Sequence, residues 1–157
     1  MRNGEVREMK SCFFIGHRSV PDDIRERLDT AIERHIIEYG MTEFLVGHYG
    51  AFDRMVQSAL IKAKEHHPEI MLRLLLPYHP AERAVKVPDG FDGSFYPPSM
   101  ESVPRPLAIV RANQYAVRTC DYLICYDAGH IGNTRELVEY ARRRERKGLI
   151  HIEILAE

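Results

Sequence analysis

An apolar run that ends in Gly-His and leads into a helical pattern occurs twice in this chain of 157 residues. The first copy is Cys-Phe-Phe-Ile-Gly-His-Arg at 12–18, and the second is Phe-Leu-Val-Gly-His-Tyr-Gly at 44–50. A glycine at the end of a strand lets the backbone approach a ligand closely, and the start of the next helix offers N–H groups and a positive dipole end. The pattern therefore predicts two neighbouring strand ends that are suited to a phosphorylated small molecule.

Strand and helix patterns alternate from one end of the chain to the other. The apolar runs predict five strands, at 11–15, 43–47, 70–76, 121–126 and 149–155. Amphipathic helical patterns follow the first two strands, precede the fourth and separate the fourth from the fifth. Such alternation favours a parallel sheet with helices on both faces and right-handed crossovers. We therefore predict one Rossmann-like α/β domain over 1–157, with an open, mainly parallel, five-stranded sheet.

The segment at about 77–105 differs in composition from the rest of the chain. Seven of the nine prolines fall between 77 and 106, together with the Asp-Gly pairs at 89–90 and 92–93. This composition predicts a long irregular excursion, and loops of that length are usually functional or mobile. A lid over the strand ends is one hypothesis for its role.

Charge, cysteine content and hydropathy limit the classes of partner. The formal net charge of −1 argues against a nucleic-acid partner, and we interpret the basic cluster at 142–147 as a solvated last helical turn. The three cysteines form no metal-like pair, which fits a reducing compartment. No apolar run approaches the ~20 residues that span a bilayer, and no secretory signal precedes the first strand. We therefore expect a cytoplasmic protein with no membrane partner.

The candidate ligand-binding residues follow the predicted strands or begin the helices behind them. In an open parallel sheet, ligands bind outside the carboxyl ends of the strands, near the point where the strand order reverses. The candidates are Gly16, His17, Arg18, Gly47, His48, Gly50, Asp53, Arg111, Asn113, Gly132, Asn133 and Thr134. Arg18 can bind a phosphate group bidentately, and Asp53 can accept a hydrogen bond from a ribose hydroxyl or simply complement the dipole of its helix.

Several alternatives remain open at these positions. Asn133 or Thr134 could cap the fourth helix instead of contacting a ligand. Arg111 could face the rim of the site or the solvent, since it lies about 100° from its neighbour around the helix.

Known catalytic and cofactor motifs are missing from the sequence. It holds no GxGxxG, no GxxxxGK[ST], no GxSxG and no HExxH. Four histidines, His17, His48, His79 and His130, could converge at the strand ends, but their spacing is not that of a metal site. We therefore expect no metal and no bound cofactor.

The two Gly-His runs, extended to 12–18 and 44–54, resemble the short members of the SLOG superfamily. These are Rossmann-like proteins related to the YpsA-type bacterial family of unknown function, with DprA and the lysine-decarboxylase-like phosphoribohydrolases as more distant relatives. The resemblance continues through 76–78, 96–104, 108–114 and 120–126. It implies a nucleotide or nucleotide-derived ligand across the strand ends, and most of the candidate residues match the family's motif blocks. The chain departs from the family at His48 and at Gly132-Asn133-Thr134, where relatives usually have Gly-Gly before a small residue.

Two functions from different classes follow from these residues. The first is a binding module that senses or sequesters a nucleotide-type ligand. The second is hydrolysis of the N-glycosidic bond of a nucleoside monophosphate, by analogy with the phosphoribohydrolases. Those enzymes carry PGGxGTxxE, but the matching position here is Leu137, and Glu136 falls one residue early. A DNA-associated module like DprA is a third hypothesis, and self-association of such a sheet stays open.

Overall fold

The computed structural model describes residues 9–129 and 131–155. In this part of the chain, the strands are β1 (Ser11–Gly16), β2 (Glu43–Val46), β3 (Met71–Leu75), β4 (Gly93–Phe95), β5 (Tyr122–Tyr126) and β6 (His151–Ile154). The helices are α1 (Ile24–Ile37), α2 (Ala51–His66), α3 (Ala108–Thr119) and α4 (Asn133–Arg146). Two short 3-10 turns, Met100–Ser102 and Arg105–Leu107, lead into α3. No helix in these ranges is both long and apolar enough to cross a membrane.

The strands form a single parallel sheet with the order β4-β3-β2-β1-β5-β6. The chain adds strands outward from β1 to β4, crosses the sheet through α3, and then adds β5 and β6 on the other side. Helices α1 and α2 pack on one face, and α3 and α4 on the other. The predicted α/β class with helices on both faces is confirmed. The strand order reverses between β1 and β5, which is where such sheets bind ligands.

The predicted number of strands is wrong, because the sheet formed by the described residues has six strands and not five. The additional strand, β4, lies inside the Pro-rich segment and begins with a glycine and a serine. Its position depends on a contact that no local pattern reveals. The Asp92 carboxylate accepts a hydrogen bond from Leu72 N–H (2.7 Å), and Asp92 N–H donates to Leu72 O (2.9 Å). This double contact brings the segment alongside β3.

The rest of the Pro-rich segment packs against the protein through specific contacts. Met100 is buried in the core on the α3 and α4 face. The Tyr78 hydroxyl donates to Arg105 O (3.2 Å), and the Arg105 guanidinium forms an ion pair with Glu82. The guanidinium of Arg83 lies over the Tyr78 ring, 3.9 Å from its centroid. The segment is therefore irregular in secondary structure, yet it is joined to itself and to the sheet at several points.

Candidate functional site

A cavity of about 440 Å³ opens at the carboxyl ends of the central strands and continues between α3 and α4. Seven of the predicted residues line it: Gly16, Arg18, Gly47, Asp53, Asn113, Asn133 and Thr134. They come from the ends of β1 and β2, the first turns of α2 and α4, and the middle of α3. Parallel strands bring these parts of the chain together because all their carboxyl ends meet at one edge of the sheet. Pro77 lines the same cavity at the start of the Pro-rich segment.

The two predicted histidines do not line the cavity. His17 Nε2 accepts a hydrogen bond from Ala128 N–H (2.9 Å), which fastens the loop after β5 to the end of β1. The ring of His48 lies against the Tyr49 ring, with centroids 4.2 Å apart, and burial lowers the His48 pKa. Its buried Nε2 has no hydrogen-bond partner among the described residues. The His17 ring therefore contacts the loop after β5, the His48 ring contacts Tyr49, and neither side chain lines the cavity.

Gly50 and Gly132 shape the starts of α2 and α4 without lining the cavity. Their φ angles of +131° and +151° lie in a region that residues with a side chain rarely adopt. A Cβ atom on Gly50 would also lie 3.0 Å from the Cα of Arg18. These two positions need glycine because of the turn into each helix.

Arg111 is exposed and lies away from the cavity. Helix α3 presents Ala108, Ala112 and Ala116 to the sheet, and these three residues are buried. Arg111 lies about 100° around the helix from Ala112. Of the two orientations that the sequence leaves open, the structure shows the one toward solvent.

The starts of α2 and α4 differ in how their N–H groups are used. At α2, Ala51 N–H donates to Arg18 O (2.9 Å), and the Asp53 carboxylate accepts from Tyr49 N–H (3.0 Å). At α4, no described side chain caps the helix, and the Thr134 hydroxyl donates to Gly16 O (3.1 Å). Neither helix has a side-chain cap, but the first N–H of α2 is already bonded to Arg18 O, whereas Asn133 and Thr134 at the start of α4 line the cavity. N–H groups at the start of α4 can therefore donate to an anion in the cavity.

Gly16 at the end of β1 and Gly47 directly after β2 have close neighbours within the protein. A Cβ atom on Gly47 would lie 2.9 Å from Asp53 Oδ2, and one on Gly16 would lie 2.4 Å from two ring atoms of the buried Phe52. The sequence pattern predicts that glycine is needed at these two positions so that a ligand can approach the backbone. The structure adds that helix α2 packs directly on these strand ends and leaves no room for a side chain.

Asp53 has the most perturbed carboxyl group in the cavity wall. Burial raises its pKa to about 6, and the hydrogen bond from Tyr49 N–H and the charge of Arg54 only partly offset this effect. A carboxyl group that titrates near neutral pH can accept a hydrogen bond from a ligand hydroxyl or, when protonated, donate one.

This pKa makes the folding stability depend on pH. Between about pH 4 and pH 6, the unfolded chain has released the Asp53 proton while the folded chain still holds it, so the free energy of unfolding falls as the pH rises. We expect this fall to be about 2 kcal/mol and to be absent in Asp53→Asn, which keeps an acceptor for Tyr49 N–H. Urea unfolding across this pH range measures both proteins. Parallel stability curves for the two would contradict the assignment.

The cysteines are not suited to nucleophilic catalysis. Burial raises the pKa of Cys120 and that of Cys125 to about 12, and it also raises the pKa of Cys12 well above its usual value. The thiolate form, which is the nucleophile, is therefore scarce at neutral pH.

The histidines of the metal hypothesis do not gather into a cluster. No group of three or more His, Cys, Asp or Glu side chains within 9–129 and 131–155 is arranged to hold a metal ion. His79 Nδ1 instead accepts a hydrogen bond from Ala81 N–H (3.0 Å). The fourth histidine of that hypothesis, His130, lies outside the described residues.

The sequence prediction missed the part of the cavity that lies between α3 and α4. Gln114 on α3 and Tyr140 and Arg143 on α4 line this part, together with Glu136, which the sequence suggested only for the hydrolase hypothesis. The three α4 residues follow Asn133 at intervals of three or four, so they share its face of the helix. That spacing is the signal that could have identified them once Asn133 was placed at the cavity.

Comparison with known proteins gives no family for this chain. No protein-family model matches the sequence, and no curated protein matches it.

Proposed function

We propose that this protein binds a nucleotide or a nucleotide-derived phosphorylated molecule in the cavity at the strand ends. The observation that carries the proposal is the uncapped start of α4, which faces a cavity at the point where the strand order reverses. A volume of about 440 Å³ is in the range of small-molecule sites. The resemblance of the sequence to the SLOG superfamily supports the same class of ligand.

In this proposal the phosphate group lies at the first turn of α4. The N–H groups there and the helix dipole favour an anion, and the exposed Arg18 at the cavity rim can add a bidentate contact. The Gly16 carbonyl accepts a hydrogen bond from the Thr134 hydroxyl, which joins the end of β1 to the start of α4. The protein thus offers donors to the phosphate from one helix start and one guanidinium.

The remainder of the ligand has room between α3 and α4. The side chains of Asn113 and Gln114 are half-buried in the cavity wall and can exchange hydrogen bonds with a base edge. Tyr140, also half-buried, offers a flat ring against which a base can pack. Asp53, which also lines the cavity, can accept a hydrogen bond from a sugar hydroxyl.

Isothermal titration with AMP, ADP-ribose and the other nucleoside monophosphates tests this proposal. We expect saturable binding of at least one of these compounds, and we expect Arg18→Ala to weaken it about tenfold by removing a charge-assisted contact. Arg25→Ala removes a charge of the same kind from exposed α1 and should leave the affinity unchanged. Absence of saturable binding across the whole set would contradict the proposal.

Hydrolysis of an N-glycosidic bond is the second candidate, and one observation favours it. Glu136 lines the cavity within the first turn of α4, while Leu137, which matches the family's glutamate position, is buried in the core. A carboxylate in the cavity wall could assist departure of the base. If wild-type protein releases adenine from AMP, Glu136→Gln should abolish the release. Unchanged release by that variant would exclude Glu136 as the catalytic group.

A further inference from the structure

Strand β6 forms one outer edge of the described sheet. His151 N–H donates to Asp121 O (3.0 Å), and Leu155 N–H donates to Cys125 O (2.8 Å), so the odd-numbered residues of β6 direct their backbone groups toward β5. Backbone groups alternate between the two sides of a strand. The even-numbered residues, Ile150, Ile152 and Ile154, therefore present theirs to the outside of the sheet.

The sequence around this edge reads nearly the same in both directions. Residues 149–155 are Leu-Ile-His-Ile-Glu-Ile-Leu, which is symmetric about Ile152 except that a histidine on one side matches a glutamate on the other. The centre of this symmetry is one of the residues whose backbone faces outward. When two identical strands pair antiparallel, a two-fold axis passes between one residue and its own copy. These two residues can exchange backbone hydrogen bonds only if their backbone groups face outward from the sheet.

We propose that β6 pairs antiparallel with β6 of a second copy of this chain, about a two-fold axis at Ile152. In this register Ile152 exchanges two backbone hydrogen bonds with its own copy, and Ile150 pairs with Ile154. His151 of each copy then lies directly opposite Glu153 of the other, on the same face of the joined sheet. The imidazole and the carboxylate are complementary, and cross-strand pairs of this kind stabilise a sheet.

The side chains at the edge suit this pairing. The isoleucines belong to the core on the α3 and α4 face, and Ile152 and Ile154 keep part of their surface exposed. On the other face, the exposed His151 ring stacks on Tyr122 with centroids 5.1 Å apart, and Glu153 forms an ion pair with Arg34. Pairing would cover the exposed apolar surface and bring opposite polar groups together.

In a single chain, the side chain of Glu145 occupies the centre of this edge. Its Oε2 accepts a hydrogen bond from Ile152 N–H (3.2 Å), and its Oε1 lies 3.2 Å from the guanidinium of Arg142. Carboxylates placed in this way protect an edge strand from pairing. Glu145 must move away before two copies pair, so we expect a reversible dimer whose population depends on protein concentration.

Sedimentation equilibrium of the full chain over a range of concentrations tests the proposal. Ile152→Pro removes an N–H that β5 does not use, and proline is tolerated at such outward positions of an edge strand. We expect this variant to raise the dimer dissociation constant by at least about a hundredfold. Ile152→Val, which keeps the N–H, should dimerise like the wild type. Circular dichroism establishes whether each variant is folded.

Two further variants act in opposite directions and do not depend on proline. Glu145→Ala exposes Ile152 N–H, so we expect it to tighten the dimer by about tenfold, whereas Glu65→Ala on the exposed side of α2 should have no effect. His151→Glu places two carboxylates opposite each other and should weaken the dimer by about tenfold, while His151→Gln, which can still donate to Glu153, should not.

Three results would overturn the proposal. One is a wild-type chain that stays monomeric up to its limit of solubility. Another is a dimer that neither substitution affects: if folded Ile152→Pro and His151→Glu both have the dissociation constant of the wild type, the dimer contact does not lie at β6. The third is a weaker dimer in Glu145→Ala, because Glu145 would then support the contact instead of blocking it.

Discussion

Asn133→Glu is expected to raise the dissociation constant for a phosphorylated ligand by at least about a hundredfold. Asn133 is the first residue of α4 and lines the cavity, so a carboxylate there would lie beside the proposed phosphate. Two unit charges about 4 Å apart near a protein surface interact by about 4 kcal/mol, and screening at this exposed position lowers the repulsion to about 3 kcal/mol. Isothermal titration measures the loss.

The same substitution should leave the fold intact, which makes its effect on binding specific. An acidic residue in the first turn of a helix complements the dipole, so the free energy of unfolding should rise by about 0.3–1 kcal/mol or stay the same. Asn133→Gln is the neutral control, and Ser58→Glu adds the same charge on the exposed side of α2. Binding to Asn133→Glu as tight as to wild type would show that the phosphate does not lie at α4.

Gly16→Ala is expected to lower the free energy of unfolding by about 3 kcal/mol and the midpoint of thermal unfolding by about 10 °C. The added Cβ would lie 2.4 Å from two ring carbons of Phe52 and 2.9 Å from its Cβ. Phe52 is fully buried, so its ring has little space in which to move aside. Chemical and thermal unfolding measure the loss.

A double-mutant cycle separates this contact from a general effect of alanine. Phe52→Leu removes the ring that the new methyl group would meet, so the double variant should be more stable than the sum of the single effects by about 1–2 kcal/mol. Gly93→Ala is the matched control, because a Cβ on Gly93 meets no atom within 4 Å. Strict additivity, or a Gly16→Ala protein as stable as wild type, would contradict the role of this contact.

The parts of the fold that follow from local pattern could be predicted from the sequence. Each predicted strand has a counterpart in the sheet, and the amphipathic pattern after the second strand forms α2, in which Phe52 and Leu60 are buried. Helix α1 begins at Ile24, after a turn in which Ile24 N–H donates to Pro21 O, so Asp22 and Asp23 precede the helix. Strand β4 could not be predicted, because it depends on contacts between Asp92 and a residue twenty positions away.

The candidate site was partly predictable for a related reason. Residues that directly follow β1 and β2 or begin α4 had to meet, because carboxyl ends of parallel strands share an edge. Gln114, Tyr140 and Arg143 line the cavity only because of the way α3 packs beside α4, and that packing is not encoded in either helix alone. His17 is not among the residues that line the cavity, and its bond to Ala128 N–H could not be predicted because it joins residues 111 positions apart.

An amide NMR titration with AMP tests the central claim most directly, because it shows where a nucleotide binds as well as whether it binds. We expect the largest saturable shift changes on Gly16, Gly47 and the first turn of α4 at Asn133 and Thr134, while the amides of α1 stay unchanged. Saturable shifts confined to another surface, or none with any nucleoside monophosphate, would contradict it.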